Sequence, residues 1–101
     1  MNITKNTNHD EMIPLKFHLS QNYPNPFKEK TKIKYCMAFK TEINISVFDS
    51  KGHQIKNLIT EKQDAGIYEI EFNASSLPEG IYYYQLNTSD FLEKKEMILV
   101  K

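Results

Sequence analysis

The side chains able to do acid–base, nucleophilic or metal chemistry are few and scattered. His9, His18 and His53 are the histidines, the general bases that titrate near neutral pH. Cys36 is the single cysteine, so the chain can form neither an internal disulfide nor a cysteine-based metal cluster. A thiol–imidazole pair would need Cys36. The alternation Lys32-Ile33-Lys34-Tyr35-Cys36-Met37 puts it on the lysine-bearing outer face of a strand. Glu69 and Glu71 point the same way from another alternating stretch, and a solvated strand face explains them better than acid–base work. Asp49, Asp64 and Asp90 offer hard oxygen ligands near loops, without the regular spacing of a calcium loop. No G-x-S-x-G, H-E-x-x-H or glycine-rich phosphate loop is present. The expectation is no catalytic residue, no metal and no cofactor.

Composition narrows the rest. The chain has 101 residues, with 13 Lys, no Arg and 13 Asp plus Glu, giving a formal net charge of zero. That length fits one small domain. Balanced charge argues against nucleic acid as a partner, since such binders carry a basic footprint. The apolar run Met97-Ile98-Leu99-Val100, like every other apolar run in the chain, is far too short to cross a bilayer. The opening MNITKNTNHDEMIPL lacks the apolar centre of a signal peptide. If the parent protein is exported, its signal is expected outside this chain.

The elements that must position these residues read as strands. Residues 1–16 are polar, with no period, and are read as a flexible arm or linker. From Phe17 onward, apolar residues alternate with polar ones: Phe17 and Leu19; Ile33, Tyr35 and Met37; Ile43, Ile45 and Val47; Tyr68, Ile70 and Phe72. Ile55, Leu58 and Ile59 suit a helical turn as well as a strand, and strand is chosen because the segment is too short for a stable helix. Asp49-Ser50-Lys51-Gly52 reads as a type I turn, and Leu77-Pro78-Glu79-Gly80 as a turn begun by proline. Ile81–Leu86 and Glu96–Lys101 supply the last strands. About seven strands without a helix predict an all-β, immunoglobulin-like antiparallel β-sandwich.

In the usual strand order of that fold, the first, second, fifth and fourth strands share one sheet, and the third, sixth and seventh form the other. The second and fifth strands then place Lys32 and Lys34 beside Glu69 and Glu71. The sixth and seventh strands are apolar on both faces, so the outside of their sheet should show an apolar row. That row is read either as an interaction surface, open to weak self-association, or as a face covered by the arm or a neighbouring domain.

One set of motifs carries a family resemblance. Tyr23-Pro24-Asn25-Pro26-Phe27 is followed by Thr31-Lys32-Ile33-Lys34-Tyr35, by Val47-Phe48-Asp49 with Gly52, by Ala65-Gly66, and by Leu77-Pro78-Glu79-Gly80-Ile81-Tyr82-Tyr83. Lys95 to Lys101 close the chain. The pattern resembles the type A C-terminal sorting domain of the type IX (Por) secretion system, over Phe17 to Lys101. The resemblance implies an immunoglobulin-like fold and an export address at the end of a secreted protein of a Gram-negative bacterium. It implies a cargo domain covalently ahead of it, and the type IX translocon and a sortase as partners. The route it implies leads through periplasm and outer membrane to the cell surface or beyond. Sortase removal would cut within residues 1–16, because only a flexible segment enters a protease cleft.

The motif residues also have local roles to fill. Pro24 and Pro26 rigidify their loop, Tyr23 and Phe27 are expected to pin it to the core, and Gly52, Gly66 and Gly80 serve turns, with Tyr82 closing the motif set. The candidate translocon-recognition surface is the final strand, Lys95, Met97, Ile98, Leu99, Val100 and Lys101, with Ile81 and Tyr83 beside it. An open edge on that strand is expected to be able to accept a partner strand. Two other readings remain open. One is an accessory carbohydrate-binding or adhesion β-sandwich using Tyr82, Tyr83 and Tyr84, although successive strand residues alternate sides. The other is a purely structural immunoglobulin-like module.

Overall fold

The computed structural model describes residues 3–6 and 16–101. Eight strands are formed among them: β1 (Ile3–Asn6), β2 (His18–Leu19), β3 (Lys30–Met37), β4 (Thr41–Phe48), β5 (Gln54–Gln63), β6 (Gly66–Asn73), β7 (Gly80–Asn87) and β8 (Leu92–Leu99). They make two antiparallel sheets, ordered β1-β6-β3-β2 and β5-β4-β7-β8. This is the expected immunoglobulin-like sandwich. Alternation explains it directly: β3 buries Thr31, Ile33, Tyr35 and Met37 while Lys30, Lys32 and Lys34 face out. β6 buries Tyr68, Ile70 and Phe72 in the same way. The second expected β-strand pairs with the fifth as foreseen, with Lys32 opposite Glu71 and Lys34 opposite Glu69. Lys32 also reaches Glu69 diagonally at 3.7 Å, an exposed pair contributing about 0.2–1 kcal/mol.

The expected fourth strand is in the other sheet. As β5 it pairs with β4, not with the lysine- and glutamate-bearing sheet. The cause is the turn between them. Asp49 O accepts from Gly52 N at 3.0 Å, and the Asp49 carboxylate accepts from Lys51 N and His53 N, both at 2.9 Å. Those bonds hold the Asp49 carboxyl below its ordinary range, the His53 main-chain bond contributing most. Gly52 sits at φ +88°, where a side chain would be strained. So tight a connection makes a hairpin, and consecutive strands become neighbours. β1, from within the residues read as an arm, pairs with the edge of β6 instead.

β5 is also irregular. Its register against β4 shifts between Ile45 and Ser46 and again between Val47 and Phe48. A bulge turns consecutive residues to one side. This is why Leu58 and Ile59 are both buried while Ile55 is exposed, and why the spacing looked helical. On the outer face over the bulge, Asn44 donates to Thr60, Thr60 to Asn57, Asn57 to Ser46, and Ser46 to Asn44, closing a ring of hydrogen bonds. Inside, Tyr35 stacks on Tyr68 at 5.3 Å and donates to Gln63 at 2.8 Å. Among the described residues, no buried side-chain nitrogen or oxygen lacks a partner.

Candidate recognition surface

The Tyr23–Phe27 loop lies between the sheets and grips the last strand. Phe27 is buried against Phe72, ring centroids 6.4 Å apart. Phe27 N donates to Ile98 O at 2.9 Å, and Val100 N donates to Phe27 O at 2.8 Å. Ile98 N donates to Asn25 Oδ1 at 2.9 Å, so a side-chain amide stands where a neighbouring strand would offer a carbonyl. Gln21 Nε2 donates to Glu96 O at 2.6 Å. The edge of β8 from Glu96 to Val100 is therefore closed by the loop, and the expected open edge does not exist there.

A buried polar hub holds the loop itself. Asn22 Nδ2 donates to Pro24 O at 3.1 Å and to Thr31 Oγ1 at 3.0 Å, and Thr31 Oγ1 donates to Pro24 O at 2.8 Å. Tyr84 Oη donates to Ser20 O at 2.6 Å, tying β7 to the same stretch. Gln21 and Asn22 carry no sequence signal beyond their nearness to a proline loop, and Thr31, although part of the motif set, gives no sign in sequence of its bond to Asn22. Tyr23 departs from expectation. Its backbone pairs with Lys32, but its side chain is 80% exposed and pins nothing.

The other motif residues divide between turns and core. Gly52, Gly66 and Gly80 all take positive φ. Tyr82 is buried and donates to Pro78 O at 2.6 Å, closing the turn four residues behind it. Tyr68 does the same to Asp64 O at 2.8 Å. Of the expected recognition residues, Met97 and Leu99 are fully buried and cannot be read from solvent. Lys95 has the inward parity of Met97 and pairs with Glu93 at 3.3 Å. Ile81 and Ile98 face each other across β7 and β8, and Tyr83 faces Glu96 and Phe48. Ile81 is 43% exposed, while Tyr83, Ile98, Val100 and Phe48 are half-buried. The expected apolar row is thus present on the outside of this sheet. Beside it runs a shallow groove of about 380 Å³ lined by Phe48, Ser50, Lys51, Gly52, Tyr83, Gln85 and Lys94. Lys94 Nζ lies 5.2 Å from the Tyr83 ring centre. Phe48 and Lys94 were not foreseen; their cross-strand neighbours show only once register is known.

Two pairs of groups able to do chemistry come together. His53 Nδ1 lies 3.4 Å from Asp49 Oδ2 in the solvent-exposed turn. His18 is opposite Cys36 across β2 and β3, yet burial pushes the Cys36 thiol up, the wrong direction for a nucleophile. The Asp49 carboxylate is taken up by its turn, and Asp64 pairs with Lys40 at 3.8 Å. Among the described residues, no group of three His, Cys, Asp or Glu side chains is placed to hold a metal ion. His9 lies outside the described residues.

The class defined by this geometry is a small immunoglobulin-like β-sandwich whose hallmark loop locks its last strand. The family profile of the secretion system C-terminal sorting domain matches residues 21–101, from the loop onward, and the chain belongs to that family. It is a sorting signal of type IX secretion, with cargo of that system as its kind of partner and export through the outer membrane as its route. No curated protein matches the chain.

Proposed function

We propose that the chain is a folded export address with no reaction of its own. The type IX translocon reads it on the outward face of β7 and β8, and a sortase then severs it from the cargo ahead of it. The supporting observation is the Ile81–Ile98 pair with Tyr83, outward on a sheet whose inner face is already filled by Tyr82, Tyr84, Met97 and Leu99. Lys51 and Lys94 line the groove beside the apolar row and give it the polar rim that protein interfaces have around an apolar centre. The proposed cut falls in residues 1–16 but outside Ile3–Asn6, which β1 holds against β6; residues 1–2 and 7–15 lie outside the described residues. The same row supports weak self-association at high concentration. The carbohydrate reading is not favoured: Tyr82 and Tyr84 are buried and only Tyr83 points outward, so the three make no platform.

Deleting Met97–Lys101 would remove two buried side chains and so could not separate folding from recognition. Outward substitution can. A secreted reporter fused ahead of the chain is expected to lose export when Ile81→Glu and Ile98→Glu are combined, while circular dichroism still shows a cooperative melt. Normal export of that folded variant would refute the proposed surface. A secreted reporter that keeps the mass of the sorting domain would refute sortase removal.

A further inference from the structure

Every side chain of the Tyr23–Phe27 loop that bonds inward has a purpose in the fold, and Tyr23 has none. It is 80% exposed, the largest exposure among the large apolar residues described. Its main chain is held in place. Tyr23 N donates to Lys32 O and Lys32 N donates to Tyr23 O, both at 2.9 Å, and Pro24 follows. A solvent-facing tyrosine on a fixed backbone has only two side-chain torsions left to order, which makes it a low-entropy anchor for a partner.

Its surroundings say what kind of partner. Paired residues of antiparallel strands project to one face, so Tyr23 stands level with Lys32. Lys30 and Lys34 flank Lys32 on that face, two residues to either side. Lys32 is engaged with Glu69, whereas Lys30 and Lys34 enter no ion pair among the described residues. Glu69, opposite Lys34, and Glu71, opposite Lys32, offset two of the three lysine charges, so the strip stays net positive, with Lys30 opposite the uncharged Asn73. Lys30 and Lys34 lie roughly 13–14 Å apart along the strand, four residues at about 3.4 Å each. A groove of about 390 Å³, lined by Ser20, Gln21, Tyr23, Lys32, Lys34 and Glu69, opens at the Lys34 end of this strip.

We propose that this face docks an extended acidic segment of a partner protein, with carboxylates four residues apart on Lys30 and Lys34 and an apolar residue between them against Tyr23. The spacing favours polypeptide over sugar, because a strand repeats its side chains on one face at the same interval as the lysines. The surface is separate from the Ile81–Ile98 face and does not depend on it.

The test uses the full chain and a fluorescein-labelled peptide, GTETLTETG, with GTQTLTQTG as control, followed by anisotropy. The acidic peptide is expected to bind saturably and to bind more tightly at low salt, with the control about tenfold weaker. Tyr23→Ala and Lys34→Glu are each expected to weaken binding about tenfold, with the thermal midpoint of Tyr23→Ala unchanged. No saturable binding up to millimolar peptide, equal binding of the control, or indifference to Tyr23→Ala would each overturn the proposal. So would polygalacturonate binding that requires Tyr23 when peptide binding does not, which would make the partner a glycan. The titration needs no export machinery, so its failure is distinguishable from failure of the export reading.

Discussion

Asn25→Ala isolates one hydrogen bond that joins the motif loop to the last strand. Asn25 Oδ1 accepts from Ile98 N at 2.9 Å. A typical internal hydrogen bond contributes about 0.5–1.5 kcal/mol net, and leaving a fully buried donor unpaired costs about 1–3 kcal/mol. Ile98 is only half-buried, so water partly replaces the lost acceptor and the cost should stay near 1 kcal/mol. For a domain of this size that lowers the thermal midpoint by roughly 4–8 °C. The locality of the loss is the sharper test. Val100 N bonds to Phe27 O, not to Asn25. Hydrogen exchange should therefore quicken at the Ile98 amide by about fivefold more than at the Val100 amide, the factor that 1 kcal/mol represents. Asn25→Asp keeps an oxygen acceptor at the same place and should restore both readouts at neutral pH. If Asn25→Asp behaves like Asn25→Ala, or if Ile98 exchange does not change in Asn25→Ala, the loop does not cap this strand as described.

Two further perturbations separate the loop's packing from the core's polar contacts. Phe27→Ala removes a ring that is 2% exposed and should cost about 3–5 kcal/mol, read as a large fall in the urea midpoint; a shift as small as that of Asn25→Ala would contradict the packing. In an ultraviolet alkaline titration, Tyr35, Tyr82 and Tyr84 should ionise late, because burial raises all three, Tyr84 to about 12. A raised folded value means that the unfolded phenol loses its proton first. The Tyr84 contribution to stability is therefore complete below about pH 10 and is lost as pH rises through about 12. Complete ionisation of all six tyrosines near pH 10 without unfolding would contradict the burial.

Strand existence was legible because period-2 alternation is a local signal. β3, β4 and β6 follow from it, while β7 and the apolar half of β8, apolar on both faces, read as strands because they are short β-prone runs. The pairing of Lys32 and Lys34 with glutamates follows from the strand order of the fold class. What failed was pairing that alternation does not encode. The Asp49–Gly52 turn was readable, and by itself argues for β5 beside β4; the fold-level strand order misplaced it. The bulges in β5 left only an ambiguous spacing at Ile55, Leu58 and Ile59, because a bulge is defined by the partner strand. The expectation that Tyr23 helps pin its loop to the core fails for the same reason. A strand pair fixes the side of each residue, and the bridge to Lys32 turns Tyr23 outward. Met97 and Leu99 look surface-ready as part of a terminal apolar run, until register places them in the core.

The same geometry decides how a partner can read the last strand. Addition of a partner strand along Glu96 to Val100 must first displace four hydrogen bonds, from Gln21, to Asn25, and to and from Phe27. A partner strand would remake most of them, so they largely cancel. Extracting the Phe27 ring from the core has no such compensation and costs about 3–5 kcal/mol. At 1.4 kcal/mol per decade, that lowers apparent affinity by roughly two to three and a half orders of magnitude. A partner that meets Ile81, Ile98 and Tyr83 by their side chains bears no such penalty, since those atoms already face water. Recognition by side-chain faces, with the loop left in place, is therefore the lower-energy route. It follows that Asn25 and Phe27 should affect export only as far as they affect folding, whereas Ile81 and Ile98 should affect export with folding intact.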